Sequence, residues 1–190
     1  MQAKNRLRGL IPYLAVLTIA ACATTPEAPK EAKITDEVTM QAKVVAVDKE
    51  TRELTLQRPD GSSVEIIAGP EIRNFEQIEP GNTVTARYIV SLSARLLEAD
   101  EADTEPTVGV LTARAEPGQA PAGAIGTDMA MTVLVKSVDK DKHIVTFTDP
   151  NGLLHAVEAE RDEGKNFVQG LKTGDRVELI YEEVLAMSVE

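Results

Sequence analysis

The chain has 190 residues, 31 acidic against 20 basic, and a formal net charge of −11, with only 3% aromatic side chains. A surface of that sign repels nucleic acid, anionic lipid headgroups and lipopolysaccharide phosphates, which argues against a polyanion partner. The single cysteine, Cys22, excludes an intramolecular disulfide and a thiolate metal cluster.

The first element is an export signal over residues 1–21. Lys4, Arg6 and Arg8 precede an apolar run, Leu10 to Ala21, that is too short to cross a bilayer as a helix. The run closes on Ile19-Ala20-Ala21-Cys22. Small residues before a cysteine resemble the lipobox of bacterial lipoproteins. The resemblance implies a diacylated Cys22, cleavage just before it, and lipid attachment to the envelope. Ala23 stands where aspartate would signal inner-membrane retention, so the same resemblance implies the inner leaflet of the outer membrane, facing the periplasm. Removing three basic residues of 20 leaves 17 against 31 acids, a balance of −14. Residues 22–36 follow as a disordered tether rich in Ala, Pro, Thr and charge. As a flexible coil, 14 residues hold a domain about 20 Å from the membrane.

An internal repeat comes next. Val44-Val45-Ala46-Val47-Asp48-Lys49 recurs as Val135-Lys136-Ser137-Val138-Asp139-Lys140, and Leu54-Thr55-Leu56 as Val145-Thr146-Phe147. Pro59-Asp60-Gly61 returns as Pro150-Asn151-Gly152, and Asn74-Phe75-Glu76-Gln77 as Asn166-Phe167-Val168-Gln169. Pro80-Gly81-Asn82-Thr83-Val84 matches Thr173-Gly174-Asp175-Arg176-Val177, and Tyr88 matches Tyr181. Each copy is one structural unit of about sixty residues, and two copies are too few for a solenoid.

Within each copy the apolar period is two, the signature of half-buried strands. Met40, Ala42 and Val44 alternate with polar residues, as do Leu54 and Leu56. Met131, Val133 and Val135 repeat the pattern. Polar hairpins are predicted at Asp48 to Arg52 and Asp139 to His143, with tight turns at Asp60-Gly61 and Asn151-Gly152. One helical turn is expected near Phe75 and Phe167, then final strands from Thr83 to Val90 and from Arg176 to Val184. Short meandering strands of this kind predict an all-β fold of two tandem OB/SH3-like barrels packed together, over 37–97 and 129–190. Phe75 and Phe167 are the expected core anchors.

The connector, 98–128, divides in two. Glu98 to Glu105 holds five acids and no base and reads as a solvated loop. Val108 to Ala115 has strand composition and would extend or bridge the barrels, with a wholly disordered linker as the alternative.

No catalytic elbow, zinc-helix pair or phosphate loop occurs in the sequence. The acid pairs Asp162-Glu163 and Glu182-Glu183 lack the order of a calcium loop. His143 and His155 have no placed partners in the sequence and read as surface residues. Met129 and Met131 share one strand face and are the soft-ligand candidates for Cu(I). The second copy resembles the small β-barrel of periplasmic copper chaperones through Val135 to Asp139, Val145 to Thr148 and Lys172 to Val177. That resemblance implies His and Met ligands under a tryptophan, yet Thr148 occupies the histidine position and the chain has no tryptophan. Core methionines are the favoured reading, and no cofactor is expected. The mature chain as a whole resembles uncharacterised proteobacterial envelope lipoproteins built from such repeats, which implies location and fold but no activity. The resulting expectation is a non-enzymatic, lipid-anchored module that binds another envelope protein. The alternative is a ligand or copper carrier.

Overall fold

The structure is a computed structural model that describes residues 28–190. The predicted signal, Cys22 and residues 23–27 lie outside the described residues. Nine strands follow in order: β1 (Glu31–Asp48), β2 (Glu53–Gln57), β3 (Ser63–Ile67), β4 (Thr83–Leu96), β5 (Thr107–Arg114), β6 (Ala122–Asp139), β7 (Ile144–Thr148), β8 (Leu154–Glu158) and β9 (Arg176–Val189). A 3-10 turn, Phe75–Gln77, precedes β4, and helix α1, Asp162–Gly170, precedes β9. The all-β expectation holds.

The repeat reappears element for element. β1 and β6 are both 18 residues long and β4 and β9 both 14, while every short strand of the two hairpins has five. The copies do not form separate sheets, however. All strands belong to one antiparallel sheet in the order β3-β2-β1-β4-β9-β6-β7-β8, with β5 added beside β6. The seam between copies is β4 against β9, paired without interruption from Val84↔Val189 to Leu96↔Val177. An internal two-fold axis therefore passes through the pair Val90↔Glu183.

Length is the reason the copies merge. Alternation puts Ala32, Ile34, Ala42 and Val44 of β1 on one face, and the register carries that face through Val84 and Ala94 to Leu179, Met187, Met131 and Val133. The two ends of this face are buried in different cores. The first core contains Val44, Leu54, Leu56, Ile72, Phe75, Ile78 and Val84, closed by Met187 and Val189 of the second copy. The second contains Val133, Val135, Phe167, Leu171 and Val177, closed by Ala32, Ala94 and Leu96 of the first. Each copy finishes the other's core.

This exchange corrects three boundaries. Residues 31–36, expected in the tether, are the start of β1, because Ala32 and Ile34 pair with Ala94 and Leu92. Residues 122–128, assigned to the connector, open β6. The final strands run on to Leu96 and Val189, well past Val90 and Val184, because each has the other to pair with. The strand expected near Val108 to Ala115 is present as β5 and extends the sheet. The acidic connector is also less free than its composition indicates. Glu98 meets Lys30, Glu101 meets Arg95, and Asp103 meets Arg176, each at 2.8 Å.

Local devices recur in both copies. A register shift after Val44 and after Val135 marks a bulge that bends each long strand towards its own hairpin. Gly61 and Gly152 take the positive φ predicted for the tight turns. The repeated Asp-Lys pair also has a structural role. Asp48 accepts from the Glu50 and Thr51 amides, and Asp139 from Lys142. Lys49 donates to the carbonyls of Glu76 and Ile78, and Lys140 to that of Gln169, covering the end of each helical segment.

Candidate functional site

Between the two cores the same sheet face continues without cover. β1 contributes Val38 and Met40, β4 contributes Tyr88 and Leu92, and β9 contributes Leu185. β6 adds Ile125 and Met129, and β5 adds Val108 and Val110, which are 75% and 70% exposed. Nine of the sixteen exposed large apolar side chains among the described residues therefore share this stretch. The opposite face carries Lys33, Thr35, Glu37, Thr39 and Gln41 on β1 and Thr85 and Arg87 on β4, together with the apolar Ile89, Val184 and Leu111, and its Ser91 is buried. Scattered apolar residues are normal on a surface, and the larger contiguous apolar patch of the two faces is the candidate interaction face.

Glu183 lies at the middle of the patch, at the two-fold axis. Its carboxylate accepts from the Tyr88 hydroxyl at 2.7 Å and from the Tyr181 hydroxyl at 3.2 Å. The hydrogen bond to Glu183 raises the Tyr88 pKa above that of an ordinary phenol, and burial does the same for Tyr181, with Glu183 adding to it. Both tyrosines therefore stay protonated as donors, and the acid's charge is tied down inside an apolar surround. Both tyrosines lie on strands, and Tyr88 stands on the open face. Their recurrence at equivalent repeat positions was the available signal.

Met129 and Met131 do share one face, two residues apart on β6. Met129 is exposed in the patch, opposite Tyr181, whereas Met131 packs against the second core opposite Leu179. His143 occupies the β6–β7 turn at positive φ, and His155 lies in β8, stacked on Phe147 at 5.3 Å. The His155 imidazole contacts the Asp149 carboxylate at 3.1 Å, and this bond holds the Asp149 pKa below the usual carboxylate value. The histidine predicted to lack a placed partner thus has one. The acid pairs are separated in use: Asp162 and Glu163 open α1, Glu182 accepts from Ser91, and Glu183 serves the tyrosines. Among the described residues no group of three His, Cys, Asp or Glu side chains is gathered for a metal, and no helix is long and apolar enough to cross a membrane.

A second feature is a cavity of about 380 Å³ within the second core. Val133, Val135, Val145, Leu171 and Leu179 form much of its wall, and Glu158, Glu160 and Arg161 stand at its rim. Arg161 forms an ion pair with Asp36 of β1 beside that rim. Sequence reasoning missed the cavity because its walls come from both copies.

No family model, curated protein or solved structure matches this chain.

Proposed function

We propose that this is a lipid-anchored, non-enzymatic binding module of the bacterial envelope, and that it docks another envelope protein on the open apolar face of its central sheet. The observation that carries the reading is the single-sided patch of Val38, Met40, Tyr88, Leu92, Leu185, Ile125, Met129, Val108 and Val110. Burying such a face supplies the free energy of association, and the tyrosines supply rigid amphipathic anchors. The strongly acidic chain favours a partner whose own apolar surface is rimmed with basic residues.

Two measurements test the reading. A photoreactive amino acid at Val110 should crosslink one partner in living cells, and Val38→Asp with Leu185→Asp should abolish the product while the thermal midpoint stays within a few degrees. Crosslinks to many proteins without preference, or none, reject the docking face. Cys22→Ser tests the anchor separately: the variant should lose incorporated fatty acid and remain as unprocessed precursor. Normal maturation and membrane retention of that variant would remove the lipid from the proposal.

A further inference from the structure

The side chains around the cavity in the second core differ from their equivalents in the first. The repeat makes the comparison position by position, since β4 and β9 start in register at Thr83 and Arg176, and β2 and β7 at Glu53 and Ile144. Met187 packs into the first core, and its equivalent in the second is Ala94. Leu54, wholly buried, is replaced by Val145, and Ile66 by Val157. Ile72, 5% exposed, falls where the second copy has Gly164. Four positions thus lose volume, while Phe147 in place of Leu56 and Val133 in place of Ala42 add some back.

The plug at the end of the core changes as well. In the first lobe Arg52 donates to the carbonyls of Ala68, Gly69 and Ile72 and lies over the Phe75 ring at 4.4 Å. The equivalent residue is His143, which has the same positive φ and accepts the same backbone bond, from Ala159 where Arg52 accepts from Ala68. The strands and this positive-φ turn are shared between the lobes, but a 3-10 turn in the first is replaced by α1 in the second, so the cavity arises from smaller side chains together with that exchange.

We propose that this cavity binds one unbranched aliphatic chain, the acyl group of a lipid. The wall is built from apolar side chains, aliphatic apart from the rings of Phe147 and Phe167, and the ionisable groups are Glu158, Glu160 and Arg161. A ligand with polar atoms would bury them against a wall that offers no side-chain partner, whereas an alkyl chain needs none. The volume is within the range of small-ligand sites. Two sources supply this chemistry: a free or phospholipid acyl chain, or the chain's own anchor on Cys22. The second is within reach, since Ala28 already lies against Gly170 beside the second core and six residues extend to about 20 Å. The cavity meets the protein-docking face at Leu92, while the rest of its wall lies in the second core, so the two readings are tested by different residues.

The test is titration of the full-length Cys22→Ser chain with cis-parinaric acid, whose fluorescence rises on leaving water. One probe per chain, with micromolar or tighter affinity, is expected. Ala94→Met with Val145→Leu, which installs the first lobe's own residues, should weaken binding at least tenfold. Ala32→Leu, placed on the opposite wall, should do the same if the double variant does not fold. Val38→Asp on the docking face should leave affinity unchanged, which separates failure here from failure of the docking reading. Absence of saturable binding, or undiminished affinity in a filled variant that keeps a cooperative thermal transition, overturns the proposal. For the source, cells are fed a diazirine-bearing palmitic acid and irradiated. An adduct joining the Cys22 peptide to the cavity wall assigns the chain's own anchor, a lipid adduct on the wall assigns an external chain, and labelling outside the wall alone counts against the site.

Discussion

The two lobes share one strand framework but differ in the segment before the last strand, a 3-10 turn in the first and α1 in the second, and in how their cores are filled. The first is closed: Arg52 spans three carbonyls, Phe75 lies beneath it, and Leu54, Ile72 and Met187 fill the interior. In the second, Val145, Gly164 and Ala94 stand at the places of Leu54, Ile72 and Met187 around a cavity of about 380 Å³, and His143 replaces Arg52. The edges differ too. β5 lines the early part of β6, whereas the equivalent part of β1, Glu31 to Ala42, pairs with β4 alone among the described strands. The duplicated strand framework is common to both lobes, and they differ in how their cores are filled.

The sharpest way to break the comparison is to remove the two aromatic anchors. Phe75→Ala should cost about 3–5 kcal/mol, because a ring 2% exposed in a filled core leaves a void with nothing to collapse into it. Phe167→Ala should cost less, about 2–3 kcal/mol, since the ring already borders the cavity and has fewer contacts to lose. Urea unfolding of both variants reads the difference, and equal costs would mean that the second core is as tightly packed as the first.

Met187→Ala and Ala94→Met form the reciprocal pair. The first should destabilise by about 2–5 kcal/mol, and the second should stabilise by about 0.5–2 kcal/mol as it fills the cavity. A destabilising Ala94→Met would show that the space is already tight.

Arg52→Ala should cost about 2 kcal/mol, because three carbonyls lose a charged donor, whereas His143→Ala should lie within about 0.5 kcal/mol of the parent chain. Thermal melts of the two variants suffice, and similar shifts would dissolve the distinction between plugged and open ends.

The smallest effect is in pH. The Thr104 hydroxyl and then Arg95 lower the Glu178 pKa, and the His155 bond lowers that of Asp149. A carboxyl held lower in the folded state contributes stability that is present above its ordinary value near pH 4 and is lost as pH falls through the lowered value. The melting temperature should therefore be flat from pH 7 to about 5 and fall below about 4. Glu178→Gln and Asp149→Asn should each flatten part of that fall, and an acid limb unchanged in the double variant would place the titrating groups elsewhere.

Much of the local structure was legible in the residues alone. Period-two alternation marked the strands, Gly61 and Gly152 marked the tight turns, and the Asn-Phe-x-Gln stretches marked the helical segments with their buried rings. Each of these is set by neighbours within a few positions along the chain, through backbone sterics and side-chain period. The duplication was equally plain, and with it the equivalence of every element.

What only the tertiary structure decided was how the copies share their strands. Ala32 and Ala94 carry no strong local signal, and their partial burial depends on a core whose other members, such as Val133 and Phe167, lie far along the chain on other strands and on α1. For the same reason the sequence did not separate the buried ends of β1 from its open middle, since Ile34, Val38 and Val44 share one alternation and differ only in what folds over them. The apolar face and the cavity both arise there. Periodicity determines which side of a strand is apolar, but whether that side becomes core or surface is set by what long-range pairing places above it.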